Sequence, residues 1–397
     1  MKMTLFAQIV GLLPREDFNK LVGQHGSDKH NKGLDSWHQL IALVFCQFTK
    51  CEGLRDICNG LMSAQGNLNH LGISHPVKRS TLSYQNTHRS WELFRDFYLK
   101  CKERLFDQGN RKHRRKLGRI KGKIFMLDAS LIGVCLKVFN WAHYRQCKGA
   151  MKLHMLLDYD HCLPQYMYFT DGTKHESPIA RQFTMPKGSV VVADRGFLDF
   201  KLLRHWHEQG LHFVVRCRED VLLETIKDSP DPQGSILKDA QVNLTPSSKR
   251  KYGNTLRLLE VWDEVNQKTI RLLTNQKTWT AETISELYKQ RWAIEIFFRD
   301  IKTHLKVKTF IGTSPNAVLI QLWTAMLAIL IIKYLKVRAS YKWSLANLIS
   351  FIRIAILSKI NLFKWLNQPF IPEGFSVGNS TQQMYINFTG GIIPESG

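Results

Sequence analysis

The hydrophobic pattern of the chain changes from helical to extended near residue 117, and this change constrains the fold more than any other feature. Residues 1–116 place apolar side chains at helical spacing, whereas the next hundred residues carry short apolar runs typical of strands. The predicted strands cover Ile124–Leu127, Leu131–Val138, Lys152–Leu157, Ser189–Ala193 and Leu211–Arg216. Short helices are predicted between the last three strands, at Ser177–Phe183 and Phe197–Glu208. The order β-β-β-α-β-α-β predicts an α/β domain with a mixed sheet.

Further regions are predicted on either side of this domain. Residues 218 to about 275 have the pattern of a β-rich insertion, because a Pro-, Gly- and Ser-rich stretch leads into a hairpin with strands at Leu256–Trp262 and Thr269–Leu273. We expect a helical N-terminal domain (1–116), the α/β domain (117–310), a helical C-terminal region (311–366) and a polar tail (367–397) with the composition of a disordered segment.

Three acidic residues stand where this layout could bring them together. Asp128 and Asp194 each follow an apolar strand, and Glu295 lies in a predicted helix over Leu287–Leu305. A single Asp after a strand is more often a turn or cap residue than a ligand, but three acids in this order are typical of a ribonuclease-H-like fold. Carboxylates without neighbouring His or Cys suit Mg²⁺ or Mn²⁺ better than Zn²⁺. Two such ions could catalyse phosphoryl transfer on nucleic acid.

The predicted helix over Leu287–Leu305 presents one carboxylate among three phosphate-binding groups. At about 100° per residue, Tyr288, Arg291, Glu295 and Lys302 fall within an arc of about 60°. A separate apolar face would pack on a core and consists of Ile294, Phe297, Phe298, Ile301 and Leu305. An ordinary charged helix surface is the alternative interpretation of the same stripe.

The charge of the chain favours a polyanionic partner. Its 56 Lys and Arg against 33 Asp and Glu give a formal charge of +23, which indicates nucleic acid, with a membrane surface as the main alternative. Eight basic residues lie between Arg111 and Lys123, either as a phosphate-tracking segment or as a solvated linker. Ser80 could cap a DNA-recognition helix whose Lys78 and Arg79 reach phosphates, although an ordinary capped helix explains the same residues.

Cysteine usage and hydropathy exclude several other classes. The eight cysteines include no C-x-x-C pair and predict reduced thiols in a cytosolic protein, and Cys46, Cys51 and Cys58 do not have the spacing of common zinc modules. The run Ala317–Ile332 is interrupted by polar residues and is shorter than the roughly 20 residues that span a bilayer, so a buried helix is predicted.

Several motifs resemble one known family. The spacing of Tyr288, Arg291, Glu295 and Lys302, with two, three and six intervening residues, matches the hallmark of DDE transposases of the insertion sequence four family, the cut-and-paste enzymes of bacterial mobile elements. The segments Leu127-Asp128-Ala129-Ser130, Ala193-Asp194-Arg195-Gly196-Phe197 and Leu273-Thr274-Asn275 are similar to the family's two strand-acid motifs and to its strand before the final helix. The resemblance covers about residues 1–355.

The resemblance implies a mechanism and a set of site residues. Asp128, Asp194 and Glu295 would be catalytic and hold Mg²⁺, with Mn²⁺ able to substitute. A water would cut the transferred strand, and the freed 3′-hydroxyl would form a hairpin on the opposite strand and, after the hairpin opens, join target DNA. Tyr288, Arg291 and Lys302 would bind DNA, together with Arg195, which either contacts DNA or braces Asp194.

The resemblance also implies partners and a location. We expect double-stranded DNA at terminal inverted repeats and target sites, a homodimer in the synaptic complex, no membrane, and a place at the nucleoid in the bacterial cytoplasm. The residue that holds a flipped base is open, with Trp262, Ile270 and Trp279 near the expected position. His175 and Glu176 are expected to have structural roles. Two alternatives remain: an inactive relative that binds element ends as a regulator, and a stand-alone Mg²⁺ nuclease.

Overall fold

Helices form the two ends of the chain and strands form its middle. The structure is a computed structural model that describes residues 3–31, 33–64, 67–107, 120–134, 143–145, 148–228, 234–245, 252–307 and 309–370. The helices are α1 (Leu5–Val10), α2 (Arg15–His25), α3 (Ser36–Thr49), α4 (Leu54–Met62), α5 (Arg79–His88), α6 (Glu92–Lys102), α7 (Glu176–Ala180), α8 (Phe200–Glu208), α9 (Ala281–Lys289), α10 (Trp292–His304), α11 (Pro315–Arg338), α12 (Leu345–Ala355) and α13 (Leu362–Asn367).

One mixed sheet runs through the middle of the chain. Its strands are β1 (Ile124–Val134), β2 (His143–Arg145), β3 (Lys148–Asp158), β4 (Leu163–Asp171), β5 (Val190–Ala193), β6 (His212–Arg216), β7 (Leu223–Asp228), β8 (Ile236–Leu244), β9 (Leu256–Asp263) and β10 (Lys268–Thr274). The central order is β4-β3-β1-β5-β6, with β3 antiparallel to both neighbours and β5 parallel to β1 and β6. This is the predicted ribonuclease-H-like arrangement.

The predicted insertion continues this sheet. Strand β10 pairs antiparallel with β6, and β9, β8 and β7 follow in turn, so the insertion lengthens the central sheet by four antiparallel strands. The hairpin predicted from the sequence is present as β9 and β10. The polar stretches of this region lie in part outside the described residues.

Two strand predictions were wrong although the element order was right. The runs at Ile124–Leu127 and Leu131–Val138 were predicted as two strands, but they form the single strand β1 as far as Val134, and residues 135–138 lie outside the described part. Strand β4 was not predicted. Its side chains do not alternate regularly between buried and exposed, because Tyr166, Tyr168 and Thr170 are all at least partly exposed on a strand that, among the described residues, pairs only with β3.

The two faces of the sheet pack against different helices. On one face, Phe125, Leu127, Val191 and Ala193 form a core with Trp206 of α8. On the other face, alternate residues of the same strands pack against α9 and α10, which follow the insertion. This alternation with period two decides which side chains of β1 and β5 can reach α9 and α10.

The helical N-terminal and C-terminal regions share one hydrophobic core. Helix α11 lies at its centre and packs against α3, α5, α6 and α12. It is the helix of the described residues that is long and apolar enough to cross a bilayer, but 83% of its most apolar window is buried inside the protein. The buried ammonium of Lys333 donates to the carbonyl of Cys162 at 2.6 Å, which fastens this helix to the loop between β3 and β4. The predicted domain boundaries stay a prediction.

A buried ion pair fastens the helical region to the sheet. Lys102 at the end of α6 lies 3.3 Å from Asp158 at the end of β3, and their side chains are 4% and 6% exposed. The ammonium also donates to the side chain of Gln165 at 2.9 Å, and Tyr98 donates to the carbonyl of Pro164 at 2.9 Å. The orientation of α6 on the sheet therefore depends on polar contacts as well as on apolar packing.

The structure also bears on the predictions for Ser80, the cysteines, the basic run and the polar tail. Ser80 does not cap α5, because Lys78 occupies the N-cap position and Ser80 is an exposed residue of the first turn. Free thiols are found at all six described cysteines. Most of the basic run lies outside the described residues, since only its last four residues, 120–123, are described, and the polar tail is described only as far as residue 370.

Candidate active site

The first two acids are neighbours because β1 and β5 are parallel and adjacent. Leu127 pairs with Ala193 in the last parallel register pair, so Asp128 and Asp194 are the next residues on two strands about 4.8 Å apart. Asp128 was predicted to end its strand, but β1 continues through it to Val134 while β5 stops at Ala193. The end of β5 opens one side of β1 at the point where the carboxylate stands.

The alternation of β1 and β5 directs both carboxylates toward the C-terminal helices. Asp128 shares its face with Met126, which packs in the same core as Ile294 and Phe297 of α10. Asp194 shares its face with Val192, which packs against α9. Each acid is thus aimed at a different helix of the pair that carries the remaining site residues.

The single helix predicted over Leu287–Leu305 is interrupted in the structure. Helix α9 ends at Lys289 and α10 begins at Trp292, and the turn between them uses short-range bonds from the N–H of Arg291 to the carbonyl of Tyr288 and from the N–H of Ala293 to the carbonyl of Gln290. The predicted apolar face of α10 is confirmed, because its five residues are at most 5% exposed. The break was missed because nothing in this segment is a Gly or Pro.

Arg291 connects two of the three acids. Its guanidinium forms an ion pair with Glu295, one turn along the chain, and lies 3.8 Å from the carboxylate of Asp128. The side chain is 13% exposed, and its Nε is buried with no hydrogen-bond partner within the described structure. Burial opposes the charge of Arg291, but Tyr288, Glu295 and Asp194 together raise the pKa of the guanidinium. Arg291 is therefore held at the centre of the acidic cluster.

Tyr288 connects the same cluster to the third acid. Its hydroxyl donates to Asp194 at 3.3 Å, and its ring lies 5.7 Å from the guanidinium carbon of Arg291. Burial raises the pKa of Tyr288 to about 12, so the hydroxyl stays protonated and remains a donor. Because the side chain is only 8% exposed, its role in the structure is to position Asp194.

The environment of Asp128 disfavours its charged form. Burial raises the pKa of Asp128 to about 6, and the nearby charges of Glu295 and Asp194 add to the increase. The backbone N–H of Ala129 donates to the carboxylate at 2.8 Å and, with Arg291, opposes the shift. A carboxyl with this pKa and two acidic neighbours is typical of a functional cluster and not of a turn or cap.

Lys302 and Arg195 lie outside the group formed by Tyr288, Arg291 and the three acids. The ammonium of Lys302 donates to the hydroxyl of Ser130 at 2.6 Å and to the carbonyl of Leu131 at 2.9 Å, so it ties α10 to β1 just beyond Asp128. Arg195 is exposed beside Asp194 and, within the described residues, forms no ion pair with it. Of the two roles predicted for Arg195, this position favours contact with a ligand.

Two residues support the site although the sequence did not predict them as site residues. Ser130 follows Asp128 by two positions, and this strand alternation is the signal that would have placed it on the same face. Glu176 pairs with Lys152 at 3.4 Å and lies against Gly196, where a Cβ would stand 2.6 Å from its carboxylate oxygen. A side chain at position 196 would therefore displace the end of Glu176, and Glu176 has the expected structural role.

The three residues considered for holding a flipped base lie away from the acidic cluster. Ile270 and Trp279 pack against the apolar cluster beneath α9, and Trp279 lies 5.8 Å from the ring of His212. Trp262 is partly exposed on β9, opposite Thr269. None of the three touches the acidic cluster in the described structure.

The three carboxylates have the chemistry that a hard divalent cation prefers. Asp128, Asp194 and Glu295 offer only carboxylate oxygens, which Mg²⁺ and Mn²⁺ accept with retained waters. Among the described residues, no group of three or more His, Cys, Asp or Glu side chains is placed closely enough to hold a metal ion. Arg291 lies between Asp128 and Glu295, so these carboxylates could hold a metal only if the guanidinium moves aside.

Comparison with known proteins identifies the family of the chain. Residues 119–331 match the model of the transposase DDE domain, and residues 1–74 match a domain of unknown function named DUF4372. The chain is 30% identical over 252 residues to a probable transposase for insertion sequence element IS5377 of Geobacillus stearothermophilus, a match that covers 63% of the chain and 66% of the relative, slightly less than two thirds of its length.

Two further proteins are similar over more of their length. A putative transposase for insertion sequence element IS4SA of a Synechocystis species is 22% identical over 297 residues, which cover 74% of the chain and 82% of that protein. The piggyBac transposase in a synaptic complex with hairpin DNA is 11% identical, with a TM-score of 0.45 over 93% of the chain and 81% of that structure. Because the DDE domain model spans more than half of the chain, the protein belongs to the DDE transposase family, of the insertion sequence four type.

Proposed function

We propose that the protein is the transposase of an insertion sequence and that it cuts and joins DNA at the terminal inverted repeats of that element. The observations that support this proposal are that Asp128 and Asp194 directly follow paired residues of β1 and β5, and that Arg291 lies between Asp128 and Glu295 of α10. Membership of the DDE transposase family supports the same reaction class. The reaction is phosphoryl transfer on a DNA strand.

The three acids would hold the metal ions, for which we propose Mg²⁺ with Mn²⁺ as a substitute. When bound, such ions activate an attacking oxygen and stabilise the departing oxygen of a phosphodiester. The chain's own contribution is to fix the carboxylates: Tyr288 orients Asp194, the N–H of Ala129 orients Asp128, and α10 carries Glu295 on a rigid, deeply packed helix. These contacts preorganise the ligands.

Basic residues around the acids would bind the DNA strand. Arg291 can release its carboxylate partners and grip a phosphate with two N–H groups, which its planar guanidinium suits. Arg195 is exposed beside Asp194 and can reach the backbone of the same strand. Lys302 adds a positive charge where α10 meets β1, although its present hydrogen bonds give it a structural role as well.

The finer steps of the proposal follow the family resemblance. A water cuts the transferred strand, the freed 3′-hydroxyl attacks the opposite strand to form a hairpin, and after the hairpin opens the same hydroxyl joins target DNA. Two copies of the chain would bring two element ends together, at the nucleoid in the bacterial cytoplasm. The charge of +23 supports DNA as the partner.

Incubation of the protein with labelled inverted-repeat DNA and Mg²⁺ tests the function. Hairpin or strand-transfer products are expected. Binding without cleavage would indicate a regulator, and unselective degradation would indicate a nuclease.

The substitution Glu295→Gln is expected to reduce cleavage at least about 1,000-fold, because a metal ligand supports several kcal/mol of transition-state stabilisation. Its matched control is Glu282→Gln, which removes an exposed acid of α9 and should cleave at the wild-type rate. Equal cleavage by the two variants would refute the proposed role of Glu295. DNA binding measured in EDTA confirms that Glu295→Gln remains folded.

A further inference from the structure

A groove lies between the first turns of α4 and α5, away from the acidic cluster. Its volume is about 770 Å³. The α4 wall consists of Gly53, Leu54, Arg55 and Asp56, the α5 wall of Arg79, Ser80, Ser83 and Tyr84, and Ile311 closes one end. The α4 wall belongs to the segment that matches the domain of unknown function.

The outer face of α5 is polar, exposed and free of acids. From Arg79 to His88 the helix contains no Asp or Glu, and its outward residues carry hydrogen-bonding groups. Tyr84 is 58% exposed, and its ring stacks on that of His88 at 4.0 Å. A helix surface with hydroxyl, imidazole and guanidinium groups and no carboxylate complements a negatively charged partner.

The inner face of α5 holds this surface rigidly. Leu82 is fully buried, and the buried side chain of Asn86 accepts a hydrogen bond from Gln39 at 2.7 Å. Just after the helix, the buried Arg89 pairs with Asp28 at 2.9 Å and donates to Gln39. A ligand of the outer face would therefore meet a preformed surface.

Charges on both walls of the groove are suited to an anion. Arg55 and Arg79 are exposed, and within the described residues neither forms an ion pair. The one carboxylate of the walls, Asp56, accepts from the backbone N–H groups of Glu52 and Gly53 at 3.0 and 3.2 Å and is therefore already partnered. The groove also receives the positive ends of two helix dipoles.

The groove is connected to the catalytic helix by direct contacts. Lys50, at the end of α3 and three residues before Gly53, donates to the carbonyl of Thr303 in the last turn of α10. Glu295 and Thr303 are eight residues apart on that helix, a rise of about 12 Å. The groove thus lies within about one turn of duplex DNA, roughly 34 Å, of the carboxylates.

We propose that the α4–α5 groove and the outer face of α5 bind the phosphate backbone of duplex DNA that flanks the cleavage site. This inference rests on the proposed function for the identity of the DNA, and it assigns a role to part of the domain of unknown function. A duplex suits the surface better than a small anion does, because the groove lies beside further exposed polar residues of α5, Thr87 and His88, which extend the surface beyond it. Arg55 and Arg79 bind phosphates, and Ser80, Ser83 and Tyr84 donate to neighbouring backbone oxygens.

Binding of a fluorescent duplex of about 30 base pairs, roughly three helical turns, tests the proposal by anisotropy in EDTA, so that cleavage plays no part. Loss of one phosphate contact lowers affinity by about 8-fold at 0.1 M salt and reduces the salt slope by about 0.9. We expect this change for Arg55→Ala and for Arg79→Ala. The matched controls Lys187→Ala and Lys359→Ala remove the same charge from exposed sites outside the groove and should bind within about 2-fold of wild type.

A second pair of variants tests the same surface without removing a native charge. Ser83→Asp places a carboxylate on the exposed wall and is expected to weaken binding more than Ser83→Ala does. Losses for Arg55→Ala and Arg79→Ala no larger than for the two lysine controls, or equal binding by the two Ser83 variants, would overturn the proposal. The binding assay stands apart from the cleavage assay, so a wild-type protein that binds but does not cleave would count against the proposed function and leave this surface intact.

Discussion

The buried pair between Lys102 and Asp158 gives the sharpest prediction for the stability of the protein. The substitution Asp158→Asn keeps the shape of the side chain and removes its charge. Asn cannot pair with the ammonium of Lys102 at 3.3 Å, nor with His161, whose ring lies 3.5 Å from the same carboxylate oxygen. Lys102 would remain 4% exposed with a positive charge and a weaker partner. The packing of α6 on the end of β3 should therefore loosen.

The expected loss can be worked from the pKa of Asp158. Burial alone would raise this pKa, but the nearby ring of His161 and the charge of Lys102 lower it from the ordinary 3.8 to about 2. At about 1.36 kcal/mol per pKa unit, the fold favours the charged carboxylate by roughly 2–3 kcal/mol. Removing one partner of a buried pair costs about 3–5 kcal/mol in general. We therefore expect Asp158→Asn to lower the free energy of unfolding by about 2–4 kcal/mol at pH 7.

Thermal and urea unfolding at pH 7 measure this loss, which should lower Tm by roughly 2–5 °C. Because the folded-state pKa is depressed, the pair stabilises the wild type fully above pH 3.8 and less as the pH falls through 2, so the two proteins should converge in acid. The control Glu264→Gln changes an exposed acid in the β9–β10 turn. A loss no larger than that of the control would refute the assignment, and adding Lys102→Met should recover stability by removing the unpaired charge.

Three further predictions concern Tyr288, Gly122 and His154. Tyr288→Phe removes the donor to Asp194 and should raise the Mg²⁺ concentration for half-maximal cleavage about 10-fold, read from a metal titration. Gly122→Ala should lower the free energy of unfolding by about 3 kcal/mol in a urea titration, because the new Cβ would lie 1.9 Å from the carbonyl oxygen of Gly188. Burial lowers the pKa of His154 from 6.5 to about 4, so stability should be full above pH 6.5 and fall by up to roughly 3 kcal/mol toward pH 4, a dependence that unfolding of His154→Gln should lack.

The sequence predicted the class of the fold because its core strands carry strong local patterns. Val190–Ala193 is apolar on both faces, as a central parallel strand must be, and α3 repeats its apolar residues with helical period. Strand β4 escaped detection because it pairs with β3 alone and its polar residues do not alternate. Its existence depends on tertiary pairing, which local periodicity does not contain.

The acids of the site were predicted from the sequence, but their connections were not. Asp128, Asp194 and Glu295 follow from their positions on strands and helix. The ion pair from Arg291 to Glu295 is one turn long and could be expected from spacing, whereas its approach to Asp128 depends on how α10 docks on β1. The bond from Lys302 to Ser130 spans 172 residues and likewise requires the fold.

The interruption between α9 and α10 explains how one short motif serves two strands. Tyr288 belongs to the apolar cluster over β5 and β6 and reaches Asp194, while Glu295 belongs to the helix that packs on β1 and lies near Asp128. A straight helix would keep both residues on one line, yet the twist of the sheet turns neighbouring strands by about 20–25°. The tight turn at Gln290 and Arg291 separates the two helices and places the guanidinium at the junction, where it contacts carboxylates from both the strand and the helix. One short motif can therefore contact Asp194 through Tyr288 and lie near Asp128 through Glu295.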